Sequence, residues 1–99
     1  MLKYRVVKKN HSVSIFEFDD KQYALLGEFL LAECRNFGPE IVSFLAQCVS
    51  TGQQAELAGN VFRIEASEGQ AKIVNDITNK ECSLPITELK TIIKEYMRN

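Results

Sequence analysis

The sequence predicts a single α+β domain over residues 1–99: a mostly antiparallel β-sheet, in the order ββααββββα, with its helices packed on one face. Three observations carry that expectation. First, Gln54 to Asp76, QAELAGNVFRIEASEGQAKIVND, alternates apolar and polar residues in three runs separated by Gly59-Asn60 and Glu68-Gly69. Such dipeptides supply the positive φ that a two-residue hairpin turn requires. Second, apolar residues recur at helical spacing in two consecutive stretches before this meander and once more near the C-terminus. Third, the N-terminal residues alternate like a half-buried strand.

The meander carries its own test of register. With Gly59-Asn60 as the loop, Leu57 faces Phe62, Ala55 faces Ile64, and Glu56 faces Arg63. With Glu68-Gly69 as the loop, Ile64 faces Ile73, Ala66 faces Ala71, and Glu65 faces Lys72. Apolar residues then meet on one face and opposite charges on the other, and a slip of one residue breaks both patterns.

The remaining elements follow in chain order. Leu2 to Lys8 places Leu2, Tyr4 and Val6 on one face and Lys3 and Arg5 on the other. Lys9-Asn10-His11-Ser12 is expected to turn the chain into a second strand, Val13 to Phe18. There Ile15 and Phe16 are adjacent and must point to opposite faces. Asp19 and Asp20 are candidate N-caps for KQYALLGEFLLAECRN, whose stripe is Tyr23, Leu26, Phe29 and Leu30. Gly27 inside that helix costs about 1 kcal/mol relative to alanine, which implies close packing or a weak point. Phe37-Gly38-Pro39-Glu40 is read as a restart, with Pro39 at the first helical position. Ile41, Phe44, Leu45, Cys48 and Val49 form the second stripe, and Gly52 suits a left-handed cap. After the meander, Glu81 to Ile86 reads as a short strand that Pro85 confines to an edge or its own end. Thr87 is expected to cap a last helix whose buried side is Leu89, Ile92, Ile93 and Tyr96.

Composition narrows the function classes. With 12 basic and 13 acidic residues, the chain lacks the basic excess that phosphate binding normally needs. Cys34, Cys48 and Cys82 are odd in number and have no C-x-x-C spacing, so they are expected as buried free thiols in a reducing compartment. The opening MLKYRVVKKN has no apolar run of signal-peptide length, and no stretch approaches the roughly 20 apolar residues of a membrane span. A cytoplasmic protein without membrane association is expected. His11, the sole histidine, falls in a turn, and one histidine with three scattered cysteines matches no metal-ligand spacing. No phosphate-cradling glycine motif occurs, so no metal, cofactor or catalytic residue is assigned and an enzyme is not expected. The carboxylate groups Glu17/Asp19/Asp20 and Glu65/Glu68 are explained by capping, cross-strand pairing and a turn before acid–base chemistry.

Two surfaces remain as candidates for recognition. The acidic residues Glu17, Asp19, Asp20, Glu56, Glu65 and Glu68 could form a docking surface for a basic protein. Alternatively Lys3, Arg5, Lys8 and Lys9, with Tyr4 among them, could follow a nucleic-acid backbone, although lysines on an edge strand also serve to block edge pairing.

The segments Gly59-Asn60-Val61-Phe62-Arg63-Ile64, Ala71-Lys72-Ile73-Val74-Asn75, Leu84-Pro85-Ile86-Thr87-Glu88-Leu89-Lys90 and Ile93-Lys94-Glu95-Tyr96 together resemble small bacterial immunity proteins. These are encoded beside polymorphic or contact-dependent growth-inhibition toxins. The common pattern is a Gly-Asn turn into an aromatic and aliphatic strand, a second strand, and a closing amphipathic helix. The resemblance implies a non-enzymatic protein whose partner is the C-terminal domain of its cognate toxin. It would block the toxin's active site or its access to substrate. Such toxins are often nucleases with basic surfaces, which would suit an acidic docking face; the alternative remains a small nucleic-acid-binding or regulatory protein using the basic N-terminal strand.

Overall fold

The structure is a computed structural model and describes residues 2–10 and 13–99; His11, expected in an exposed turn, lies outside the described residues. The strands are β1 (Tyr4–Lys8), β2 (Ser14–Phe18), β3 (Ala55–Ala58), β4 (Phe62–Ser67), β5 (Gln70–Asn75) and β6 (Glu81–Pro85). The helices are α1 (Ala24–Phe29), α2 (Arg35–Thr51) and α3 (Ile86–Met97). The α+β class and the element order therefore hold, but the strands form two antiparallel sheets where one was expected. One is the β1–β2 hairpin; the other is the meander β3-β4-β5-β6.

Helix α1 separates the two sheets. Successive residues turn about 100° around a helix, so Gly27 and Phe29 lie about 200° apart. On one side a Cβ at Gly27 would come within 2.7 Å of the Phe16 carbonyl oxygen on β2. Glycine is required there because the hairpin backbone lies directly on the helix, which settles the role expected for it as close packing. On the other side the Phe29 ring meets Phe62 of β4 edge-on, with centroids 5.8 Å apart. Helices α1 and α3 cover the inner face of the meander, where Ile64, Ala66, Ala71, Ile73, Cys82 and Leu84 are buried. The hairpin is tied to α3 by the Tyr96 hydroxyl, which donates to the Ser14 carbonyl at 2.9 Å. Ile15, outward on β2, faces Val7 across the hairpin while Phe16 enters the core.

Local signals are honoured at several joints. The Asp20 carboxylate accepts from the Gln22 backbone N–H at 3.0 Å and caps a short 3-10 turn, Lys21–Tyr23, that leads into α1. Gly52 ends α2 with φ +67°. The expected break at Phe37 is instead a kink: Phe37 has φ −121° and ψ 16°, and Gly38-Pro39 begin the straight remainder of α2. Between α1 and α2, Leu30–Cys34 forms a π turn. At α3 the expected Thr87 cap is absent; Pro85 occupies the cap position and no side chain caps the helix.

The β4–β5 register matches expectation at Ile64↔Ile73, Glu65↔Lys72 and Ala66↔Ala71. Glu68 and Gly69 both take positive φ, 53° and 79°, as a hairpin turn of this hand requires. The β3–β4 register does not match. Leu57 faces Ile64, Ala58 faces Arg63, and Glu56 faces Glu65. The Gly59 N–H donates to the Phe62 carbonyl at 2.8 Å, so Asn60-Val61 is the loop. The offset from the expected pairing is two residues, which leaves every side chain on its original face, because strand side chains alternate with period two. The offset frees Phe62 from Leu57 and lets it reach Phe29.

Candidate functional site

The six acidic candidates fall into two groups on the two sheets. Glu17 lies on the outer face of the hairpin, where its carboxylate is 2.7 Å from Arg5 Nη2. Asp19 and Asp20 follow at the entry to α1; Asp20 is occupied by its cap, and the Asp19 N–H donates to the Lys3 carbonyl at 3.0 Å. Glu56, Glu65 and Glu68 belong to the meander, on the far side of α1 from the hairpin. Glu17 thus belongs to one sheet, and Glu56, Glu65 and Glu68 to the other sheet and its turn.

On the meander's outer face the charges form a chain. Glu65 contacts Arg63 at 3.2 Å and Lys72 at 3.2 Å; Arg63 reaches Asp76 at 3.5 Å and Lys72 reaches Glu81 at 3.9 Å. Arg63 Nε is buried there with no hydrogen-bond partner among the described residues. Glu56 stands opposite Glu65 on the outermost strand, β3, and makes no ion pair among the described residues. The face thus carries four carboxylates around two cations. Glu68 projects from the adjoining turn.

The basic strip is less available than the sequence suggests. Arg5 is engaged by Glu17, through Nε at 2.8 Å as well as Nη2. Lys3, Lys8 and Lys9 are exposed, but Lys3 precedes β1 while Lys8 ends it. Tyr4 points inward and stacks on Phe16 with centroids 4.4 Å apart, so it is unavailable to a base.

The three cysteines are free and buried, as expected. Burial pushes the Cys34 thiol up to about 12, with the neighbouring Glu33 charge adding to the shift. Burial also raises Cys82 to about 11, against a hydrogen bond with the Leu26 backbone. Both thiols stay protonated at neutral pH, and a protonated thiol is a poor nucleophile or ligand. Among the described residues no group of histidine, cysteine and carboxylate side chains could hold a metal ion. No described helix is long and apolar enough to cross a membrane.

One feature was missed by reading the sequence. A cavity of about 340 Å³ lies between the π turn with the start of α2 and the β3–β4 hairpin. Phe29, Phe37 and Ile41 wall one side, Leu57 and Phe62 the other. Glu33 lines it while only 6% exposed. No described residue donates a hydrogen bond or an ion pair to its carboxylate. Gly59 lies close to it: a Cβ there would be 2.9 Å from Glu33 Oε2. At Gly59 the missing Cβ thus leaves room for the Glu33 carboxylate, and the residue does not take a positive φ. The signal was present in the spacing: Glu33 follows Leu26 and Leu30 at the seventh and third positions, on the stripe that faces the core.

No family model, curated protein or solved structure matches this chain.

Proposed function

We propose that this chain is an immunity protein that neutralises a cognate toxin domain by binding it and closing its active site or substrate path. The observation that carries the reading is the acidic outer face of the meander, and above all Glu56 opposite Glu65. Like charges directly across a ladder are destabilising. A sequence that retains such a pair on an open sheet face, beside an edge strand, departs from local consistency in the way binding surfaces do. A basic toxin surface would supply the missing cations, and charge complementarity would speed the encounter and select the partner. A nuclease, whose substrate is a phosphate chain, is the toxin class this face suits; the carboxylates would stand where phosphates otherwise bind.

The test is co-expression with the C-terminal domain of the large protein encoded by the adjacent gene. If that domain kills cells alone, this protein should rescue them and co-purify with it. Glu56→Lys should weaken rescue without harming the fold, since it relieves a repulsion. Asp19→Lys, on the other side of α1, should leave rescue intact. Rescue lost through Asp19→Lys and kept by Glu56→Lys would move the interface to the hairpin. Killing that continues despite this protein would end the immunity reading.

A further inference from the structure

We propose that the cavity between the π turn and the β3–β4 hairpin receives an arginine side chain from a partner protein, with Glu33 as its counter-ion. A carboxylate held in a largely buried, apolar setting gains from an opposite charge brought to it. Glu33 is only 6% exposed, and no described residue hydrogen-bonds or ion-pairs with it. It lines a cavity whose other walls are mainly aromatic and aliphatic. A bare carboxylate within apolar walls is complementary to a cation carried on an apolar stem. Three of the walls are phenylalanines, Phe29, Phe37 and Phe62. A guanidinium stacks on aromatic faces, is less strongly hydrated than an ammonium and can pair bidentately with a carboxylate, so arginine fits better than lysine.

The surroundings of the mouth favour a protein over a free small molecule. Phe37 is 48% exposed at the cavity's edge, and Met97, 41% exposed, packs against the next residue, Gly38. Glu40, also exposed, adds a second carboxylate at the rim. The apolar surface therefore continues outwards beyond any cavity-sized ligand. A buried acidic side chain beside an exposed aromatic matches the anatomy of a protein-binding hot spot. The π turn contributes by widening the helix where Glu33 sits; such turns recur at functional positions. The identity of the partner as a toxin rests on the immunity reading above, but the arginine site does not.

The experiment is an NMR titration of the isotopically labelled chain with N-acetyl-arginine methylamide, and in parallel with the neutral, near-isosteric citrulline derivative. The arginine probe should move the backbone amides of Phe37, Gly59 and Asn60 saturably, and the citrulline probe should not. Glu33→Gln should weaken the response about tenfold or more, the loss expected when a charge-assisted hydrogen bond is replaced by a neutral one. Gly59→Ala, which crowds the carboxylate, should weaken it as well. An equal response to both probes, or an undiminished one in Glu33→Gln, overturns the site. The same variant is then carried into the co-expression assay. If wild-type protein rescues and Glu33→Gln loses probe binding but keeps full toxin affinity, the assignment to a protein partner is overturned. If the probe binds as expected but no neighbouring toxin is neutralised, the cavity assignment stands and the immunity reading fails.

Discussion

Strand β4 pairs with β5 on one side and β3 on the other, and the two ladders satisfy pairing rules very differently. Towards β5, Ile64 meets Ile73 and Glu65 meets Lys72, and the turn residues Glu68 and Gly69 take the positive φ of a tight hairpin. Towards β3, Glu56 meets Glu65, and neither Asn60 nor Val61 in the loop has positive φ. The first ladder is built for stability, with turn, charge and core all specifying one register. The second keeps the core face and gives up charge complementarity. It does so on the strand that borders both the acidic face and the Glu33 cavity. One strand thus divides a well-specified half of the sheet from the half suited to recognition.

Substitutions along β4 and its turns can break or sharpen this contrast. Ile64→Ala should have the largest effect, a loss of about 2–5 kcal/mol by denaturant unfolding, because Ile64 is buried where both ladders meet. A loss under about 1 kcal/mol would mean that the ladders do not share one core. Next, Gly69→Ala should cost about 1–2 kcal/mol, the strain of a Cβ at φ +79°. A negligible change in the midpoint would show that the β4–β5 turn does not govern its register. The smallest effect is expected from Glu56→Lys, a gain of roughly 0.2–1 kcal/mol from removing the like-charge pair. That gain should shrink as salt is added, because the face is solvent-exposed. A loss of stability instead would mean that Glu56 is paired in solution, and the contrast between the ladders would disappear.

Legibility followed the range of the interactions. The Asp20 cap, the Gly52 terminus, the Glu68-Gly69 turn and the edge placement of Pro85 each depend on residues close in sequence, and each was readable. The apolar pattern is blind to a two-residue offset and so does not separate a Gly59-Asn60 loop from an Asn60-Val61 loop: both registers put Leu57, Phe62 and Ile64 inside. What chose between them was the ring of Phe29, thirty-three positions away from Phe62, and the Glu33 carboxylate pressed against Gly59. Glu33 itself lies on the apolar stripe of its helix, but glutamate on a helix is usually solvated, so spacing alone does not mark it as buried.

Composition and periodicity were enough to establish an α+β domain with strands and helices in this order, a buried stripe on each helix, and a β4–β5 ladder in one register. They act through local backbone preference and through burial of the alternating or helical apolar face, both encoded in neighbouring residues. Tertiary structure decided the rest. It split the strands into two sheets on opposite sides of α1, separated the acidic residues into two groups, paired Arg5 with Glu17, and enclosed an unpaired carboxylate between helix and hairpin. Each of these depends on contacts between residues distant in the chain, whose geometry is set only when whole elements pack.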